Sequence, residues 1–264
     1  MKFINAEVFV DGKFQKVNFE VKDDKFTIIN NELSPDNDQD CINCEGKLIL
    51  PGFIDIHSHG CIGYDFIHAD VNEIEKMCEF YASNGITSIL ATTMTIDPEV
   101  HKQAMKNIKQ AIDSKVKGSR IVGINMEGPF LGVDKRGAHD PKYLMDINDD
   151  FFDELNQLSG NNIRIVDIDP KLPHSKEFIE KYSDSITVSL AHTSCNYDTA
   201  NKAIEAGASH VTHLFNAMNG LHHREPGIVG AVSDNDVHAE IICDGMCRWP
   251  GRWYLRTWRT KSFC

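Results

Sequence analysis

Four histidines and one glutamate follow apolar segments of the chain, where they could bind a metal ion. The segments are PGFIDIHSHG with His57 and His59, NMEGPF with Glu127, SLAHTS with His192 and HVTHLFNAMN with His213. Because side chains two residues apart on an extended strand point to the same side, His57 and His59 can bind one ion. Imidazole and carboxylate ligands suit a divalent metal, with zinc or iron as first candidates.

Each of these residues also has a structural interpretation. A single histidine at a strand end is more often hydrogen-bonded in the fold than bound to metal, and H-x-H matches occur frequently by chance. Glu127 alone could cap the turn that follows it. The combination is more specific, because the five residues fall at the ends of the first, third, fifth and sixth of the recurring apolar segments.

Seven apolar, β-rich segments recur along the chain from residue 48, and amphipathic stretches that can form helices separate them. Near-continuous apolar strands that alternate with helices indicate a parallel sheet. Seven such units without a dinucleotide-binding glycine motif favour an α/β fold of the (β/α)8 TIM type, here incomplete, and such barrels carry functional residues at the carboxyl ends of their strands. The predicted strands are 48–56, 86–93, 121–127, 163–169, 186–192, 209–214 and 237–244.

The chain divides by pattern into three parts. Residues 1–48 contain short alternating apolar runs, two of them separated by Asp11-Gly12 as in a hairpin turn. They predict part of a small β-sandwich that is too short to hold a core of its own. Residues 49–245 form the predicted barrel, and residues 246–264 form a tail of different composition.

Composition narrows the range of functions. The 264 residues carry a net charge of −12, which argues against nucleic-acid binding but is compatible with a small anionic substrate. No apolar run approaches the ~18 residues of a membrane span, and the N-terminus lacks the apolar stretch of a signal peptide. We therefore expect a cytoplasmic protein that does not associate with membranes. The eight cysteines are expected to be reduced, and only Cys41 and Cys44 form a C-x-x-C pair.

Six segments together resemble one family of enzymes. PGFIDIHSHG, MEGPF, RGAHD, AHTS, HLFNAM and REPG are similar, in order and spacing, to the N-acetylglucosamine-6-phosphate deacetylases of the amidohydrolase superfamily. The resemblance implies a (β/α)8 barrel with a small β-sandwich built from both chain ends. It also implies a metal-dependent hydrolase that converts N-acetylglucosamine 6-phosphate to glucosamine 6-phosphate and acetate. A homodimer is compatible with it, but the sequence does not determine the oligomeric state.

The resemblance implies a metal site with two parts. Glu127, His192 and His213 resemble the principal metal ligands of the family. His57 and His59 resemble second-site ligands that only some members have, so that the number of ions, one or two, stays open.

The resemblance also assigns substrate contacts. Ala138 and His139 correspond to the segment that contacts the sugar, and Asn216 and Ala217 to further contacts with the substrate. Arg224 corresponds to a residue that binds the phosphate, for which a guanidinium group is well suited. The family's acid/base aspartate, at the end of an eighth strand, has no counterpart here, so that no catalytic residue is assigned.

The tail departs from the family pattern after Asp244-Gly245. Cys247 stands where the family has a phosphate-contacting histidine, and residues 246–264 contain all three tryptophans, four of the eight arginines and no acidic residue. We interpret the tail as the product of a reading-frame shift near codon 246. The alternative is a genuine basic, aromatic tail that binds an acidic partner or a membrane surface. With a frame shift, we expect an unclosed barrel with poor metal binding and little or no deacetylase activity.

Two other functions stay open. A dihydroorotase-like or hydantoinase-like amidohydrolase often has a carboxylated lysine at the end of the fourth strand, but here that strand ends Asp167-Ile168-Asp169-Pro170. This favours the deacetylase. The second alternative is a non-catalytic protein that binds metal or sugar phosphate without turnover. The preference for N-acetylglucosamine over other amino sugars rests on the resemblance alone.

Overall fold

The computed structural model describes residues 1–29, 41–242 and 244, which fall into two compact units, Met1–Phe53 and Ile54–Cys264. The tail at 246–264, with Cys247, lies outside the described residues. The cysteines within the described residues are free thiols. No helix in this part of the chain is both long enough and apolar enough to span a bilayer.

The first unit is a mixed five-stranded sheet. Strand β1 pairs antiparallel with β2 and parallel with β4 and β5, and β2 pairs antiparallel with β3. Asp11 and Gly12 have φ angles of 51° and 76°, the two positive values of a type I′ turn, which confirms the predicted hairpin. The strands are β1 (Lys2–Val10), β2 (Lys13–Lys22), β3 (Lys25–Ile29), β4 (Cys41–Asn43) and β5 (Leu48–Ile49).

The core of this sheet is small. One cluster of buried residues contains Ala6, Val8, Phe19 and Cys44, and the Phe3 ring stacks on Phe19 at a centroid distance of 4.5 Å. A cluster of this size buries far less apolar surface than a typical domain core.

The second unit contains a seven-stranded parallel sheet that curls as an incomplete barrel, in the order β14-β13-β12-β11-β10-β9-β6. This confirms the predicted α/β class and the seven strands. A short antiparallel pair, β7 (Gly60–Cys61) with β8 (Tyr64–Asp65), follows the first barrel strand. The barrel strands are β6 (Phe53–Ser58), β9 (Ile86–Thr93), β10 (Arg120–Glu127), β11 (Ile163–Ile168), β12 (Thr187–Leu190), β13 (His210–Val211) and β14 (His238–Ala239).

Six helices separate the strands, and short polar side chains cap several of them. Asp70 and Glu73 form a reciprocal capping box at the start of α1, and Asp97 caps α2 just before Pro98. The helices are α1 (Val71–Ser83), α2 (Pro98–Ser114), α3 (Asp149–Leu158), α4 (Ser175–Tyr182), α5 (Tyr197–Glu205) and α6 (Gly227–Asp234), with 3-10 turns at Val133–Lys135 and Pro141–Tyr143.

Several predicted strands are longer than the observed ones. The predicted strand 48–56 is interrupted at Pro51-Gly52, where proline cannot donate a ladder hydrogen bond, and β6 begins only at Phe53. Strands β12 and β13 end before His192 and His213, whose φ angles of 45° and 32° lie outside the extended region. The predicted strand 237–244 is reduced to His238–Ala239.

Aromatic side chains on two helices pack against the sheet. The rings of Phe152 on α3 and Phe178 on α4 meet edge to face at 5.2 Å, and Phe178 also contacts Phe130, which follows β10, at 5.8 Å. All three side chains are fully buried. This packing fixes the helices behind β10 and β11, the strands that lead to Glu127 and Asp169.

We expect Phe178→Ala to lower the free energy of unfolding by about 3–5 kcal/mol, because it removes a buried ring and leaves a cavity. Urea unfolding followed by circular dichroism measures the change. The matched control is Phe80→Ala on α1, whose side chain is 43% exposed, with an expected change within about 0.5 kcal/mol. Equal losses for the two variants would show that the ring cluster does not hold α4 on the sheet.

Candidate metal centre

The five predicted ligands meet at one end of the parallel sheet. Glu127 is the last residue of β10, His57 lies in β6 and His59 follows that strand, while His192 and His213 each come two residues after β12 and β13. In parallel strands the carboxyl ends lie at the same edge, so that residues distant in sequence become neighbours. The structure brings the four histidine side chains around the Glu127 carboxylate.

One oxygen of Glu127 faces a pair of histidines. Glu127 Oε1 lies 3.1 Å from His192 Nε2 and 3.1 Å from His213 Nε2, and these two nitrogens are 3.0 Å apart. Ligand atoms at 2.0–2.1 Å from a tetrahedral zinc ion are about 3.3 Å from one another, so the observed triangle is close to the spacing that a metal requires.

The protonation of His192 is compatible with metal binding. Its Nδ1 lies 2.9 Å from the carbonyl oxygen of Lys135. Because a carbonyl only accepts hydrogen bonds, Nδ1 carries a proton, and in the neutral ring Nε2, the nitrogen that faces Glu127 and His213, can present a lone pair to an ion.

The histidines of the first strand approach both oxygens of Glu127. His59 Nε2 lies 3.0 Å from Glu127 Oε2, and His57 Nε2 lies 3.5 Å from Oε1. His57 Nδ1 is 2.7 Å from Oε2 of Glu240, a residue outside the predicted ligand set. The two sides of Glu127 differ in exposure, since the His59 side chain is 37% exposed and that of His192 only 6%.

The electrostatics of the cluster favour a positive charge at its centre. Burial alone would raise the pKa of Glu127, but hydrogen bonds from the surrounding histidines outweigh it and hold the pKa well below the usual value. Burial likewise opposes the charge on His57, yet its hydrogen bonds to Glu127 and Glu240 prevail and raise its pKa to about 11. The cluster thus stabilises a cation, either a proton or a metal ion.

His139 belongs to the cluster in a different way from the predicted ligands. Its Nε2 lies 3.4 Å from Glu127 Oε2, while its Nδ1 is 2.8 Å from Thr95 Oγ1 and 3.2 Å from the Thr95 backbone nitrogen. A backbone N–H can only donate, so Nδ1 accepts and the neutral ring carries its proton on Nε2. His139 is therefore oriented as a hydrogen-bond donor, although Glu127, His139 and His192 are close enough together to hold an ion.

The glycine after Glu127 permits this arrangement. Gly128 has a φ angle of +83°, and a Cβ atom at this position would lie 2.2 Å from Thr95 Oγ1. Any side chain would thus both strain the backbone and displace the hydroxyl that holds His139. Gly128, the glycine of the MEGPF segment, thus leaves space for the Thr95 hydroxyl that orients His139.

The backbone is strained at and near two of the predicted ligands. His192 and His213 have positive φ angles, and so have Phe215 at 80° and Ala217 at 52°. Such conformations cost on the order of 1–3 kcal/mol for a residue with a side chain, and they cluster at functional sites. The positive φ angles of His192 and His213 turn the backbone out of the extended conformation of the preceding strands, and both side chains lie next to Glu127.

The predicted substrate contacts are placed less uniformly. Asn216 is half-buried next to His213, whose carbonyl oxygen accepts hydrogen bonds from its backbone N–H and its side-chain amide, and Ala217 is also half-buried. Ala138 and Arg224 are exposed. The roles of these four residues in substrate binding stay predictions.

Two site residues were missed from the sequence. Thr95 comes two residues after β9, the second barrel strand, and Glu240 comes directly after β14. Their positions after strands were a signal, but their importance lies in hydrogen bonds to His139 and His57 that only the folded chain reveals.

Comparison with known proteins gives concordant matches. Residues 48–239 match the model of the amidohydrolase family. The N-acetylglucosamine-6-phosphate deacetylase of Danio rerio is 32% identical over 265 aligned residues, which cover 94% of this chain and 65% of that protein. The chain thus spans slightly less than two thirds of the length of this curated relative.

Solved structures agree. The crystal structure of the deacetylase from Pasteurella multocida superposes with a TM-score of 0.88 at 32% identity and covers 100% of this chain and 70% of that one. A mutant deacetylase from Mycobacterium smegmatis, solved in complex with N-acetyl-D-glucosamine-6-phosphate, gives a TM-score of 0.82 at 25% identity and covers 97% and 67% of the two chains. The chain belongs to the amidohydrolase family, within its N-acetylglucosamine-6-phosphate deacetylase branch.

Proposed function

We propose that the cluster binds divalent metal and serves the hydrolysis of the N-acetyl group of N-acetylglucosamine 6-phosphate. The observation that carries the proposal is the Glu127 carboxylate, whose Oε1 lies 3.1 Å from two histidine nitrogens that are 3.0 Å apart. One ion is proposed between Glu127, His192 and His213. A second is proposed between Glu127, His57 and His59, which also lie close enough together to hold an ion.

The donor set suits this chemistry. A divalent ion bound at these residues would polarise the acetyl carbonyl and lower the pKa of water toward about 7. His139 would donate from Nε2 to the carbonyl oxygen and stabilise the negative charge that develops there. Its buried hydrogen bonds to Thr95 hold the ring in the tautomer that this role requires.

The substrate proposed is a small phosphorylated N-acetyl sugar. A relative with this fold was solved with that compound bound, and Arg224 of this chain is an exposed cation on the turn that also carries His222 and His223. A guanidinium group there is free to approach a phosphate, while Ala138, Asn216 and Ala217 are proposed to contact the sugar. No acid/base residue is assigned among the described residues, so that metal binding, sugar-phosphate binding and turnover are measured separately.

The hydantoinase-like alternative is less well supported by the structure. Strand β11 is followed by Asp169, and the nearest lysine in sequence, Lys171, places its Nζ at 3.1 Å from Asp134 and within hydrogen-bond distance of Ser194. It is thus engaged in an exposed ion pair rather than with Glu127. A protein that binds sugar phosphate without turnover is a further outcome of the turnover test.

The proposed reaction is tested directly by amine release from N-acetylglucosamine 6-phosphate and from unphosphorylated N-acetylglucosamine. We expect any turnover to require metal and to favour the phosphorylated sugar. Binding of glucosamine 6-phosphate without turnover would favour the non-catalytic alternative. Absence of both metal and sugar-phosphate binding would refute the proposed function.

We expect Glu127→Gln to abolish most metal binding, because the amide removes the negative charge at the centre of the proposed ligand set. The chain is stripped with a chelator, and Zn²⁺ binding is measured by calorimetry and by metal analysis after dialysis. The control is Asp169→Asn, which alters another buried carboxylate at the carboxyl end of the sheet. Unchanged zinc content in Glu127→Gln would contradict the proposed ligand set.

Substitution of His139 and His192 should separate a donor from a ligand. We expect His192→Asn to lose zinc binding, since it removes Nε2, the atom that is proposed to bind the ion. In contrast, His139→Asn should retain zinc affinity, because the His139 Nε2 carries a proton. Calorimetric titration of the two variants in parallel measures the difference, and equal losses would show that His139 is itself a ligand.

Arg224→Ala is expected to weaken binding of glucosamine 6-phosphate by about tenfold or more, the value of a charge-assisted hydrogen bond of ~1.5–3 kcal/mol. Titration calorimetry with this product, and with unphosphorylated glucosamine as the comparison ligand, isolates the phosphate contribution. Arg120→Ala, an exposed arginine at the amino end of β10, serves as the matched control. Equal weakening in both variants would indicate a general charge effect.

A further inference from the structure

Glu240 is a buried carboxylate outside the predicted ligand set. It comes directly after β14, the seventh barrel strand, and is 5% exposed. It occupies the same kind of position, at the carboxyl end of a barrel strand, as Glu127 at the end of β10. A carboxylate is rarely buried to this extent unless it is paired or hydrogen-bonded.

One oxygen of Glu240 contacts both halves of the proposed metal centre. Oε2 is 2.7 Å from His57 Nδ1 and accepts a hydrogen bond from the backbone N–H of His213 at 3.2 Å. His57 belongs to one proposed ion site and His213 to the other. The Glu240 carboxylate thus holds the His57 side chain of one proposed ion site and the His213 backbone of the other.

The contact also joins the two ends of the sheet. Strands β6 and β14 are the first and last in the seven-stranded order, and they are not neighbours in it. The hydrogen bond from His57 to Glu240 connects their carboxyl ends at the level of the metal centre. The position of His57 relative to Glu127 therefore depends on a residue at the far edge of the sheet.

The chemistry of this contact determines which nitrogen of His57 can bind metal. Because a carboxylate accepts, Nδ1 of His57 carries a proton, and Nε2 is directed at Glu127 Oε1, 3.5 Å away. This is the arrangement by which outer carboxylates fix the tautomer of metal-binding histidines and increase their basicity. Without the carboxylate, the ring is free to rotate and to bond through either nitrogen.

The environment of the other oxygen shows that Glu240 has no competing strong partner on that side. Oε1 has no hydrogen-bond partner among the described residues, and the nearest cation candidate, His210 Nε2, lies 3.7 Å away. Burial lowers the pKa of His210, and its Nδ1 is hydrogen-bonded to Ser189 Oγ at 2.8 Å. The charge of Glu240 is therefore directed mainly at His57.

We propose that Glu240 is a positioning residue that orients His57 for the second metal ion, and that it thereby determines whether the centre holds one ion or two. This inference rests on the proposed metal-binding function. It predicts that loss of Glu240 weakens the second ion by about 10–100-fold, as for other outer carboxylates of metal ligands. The ion at Glu127, His192 and His213 is expected to be affected much less, since these side chains do not contact Glu240.

The test is a Co²⁺ titration of the full 264-residue chain, followed by visible absorption and by metal analysis. Wild type should bind two ions in separate steps. Glu240→Ala should retain the first step and lose affinity in the second, while Glu240→Gln, whose amide oxygen can still accept from His57, should be intermediate. Asp169→Asn, another buried carboxylate next to a barrel strand, should behave as wild type.

Thermal unfolding of the metal-free variants separates positioning from a general structural role. The proposal expects metal-free Glu240→Gln to unfold close to wild type while its second ion is weakened. Equal weakening of both ions together with a lowered unfolding temperature would overturn it, as would two-ion binding in Glu240→Ala that matches wild type.

The wild-type stoichiometry distinguishes the two hypotheses. If wild type binds a single ion that Glu127→Gln removes, the positioning proposal fails while the proposed function stands. If wild type binds no ion, or if Glu127→Gln binds as wild type does, the proposed function itself fails.

Discussion

The buried carboxylate of Glu127 is the constraint on which the rest of the structure depends. A negative charge removed from water is costly unless partners surround it, and here five histidine rings supply them from strand ends and one loop. Such an arrangement requires the carboxyl ends of β6, β10, β12 and β13 to converge, which the parallel curled sheet provides. The same convergence places several nitrogen and oxygen lone pairs close together, where a cation would be stabilised.

The histidines around Glu127 differ in the ring nitrogen that carries the proton, and their hydrogen-bond partners outside the cluster determine which nitrogen it is. The Lys135 carbonyl and Glu240 accept hydrogen bonds from the outer nitrogens (Nδ1) of His192 and His57, so that in the neutral rings the inner nitrogens (Nε2) present the lone pairs. Thr95 does the reverse for His139 and leaves a proton on its inner nitrogen. His57, His139 and His192 lie at similar distances from one carboxylate, but as neutral rings the first and the last can present a lone pair, whereas His139 presents an N–H. The difference arises from hydrogen-bond partners outside the cluster.

The sequence predicted the parts of this centre that follow from strand position. His57, His59, Glu127, His192 and His213 could be found because parallel strands bring their carboxyl ends together. The first six residues of helix α6 are all buried, so that its sequence has no polar face that would indicate a helical period. Glu240 and Thr95 could not be predicted because their partners lie 183 and 44 residues away in the chain, and such pairings arise only from the curled geometry of the folded sheet.

The unequal exposure of the two sides of Glu127 has a kinetic consequence. His192 and His213 are almost enclosed, with 6% and 11% of their side chains exposed, whereas His59 is 37% exposed to solvent. An ion on the His59 side would meet water directly and could leave as a hydrated species, but one held by His192 would first have to displace surrounding atoms. The two positions would therefore exchange metal at different speeds, and the identity of the outer ion would follow the supply in the surrounding solution more closely than that of the inner one.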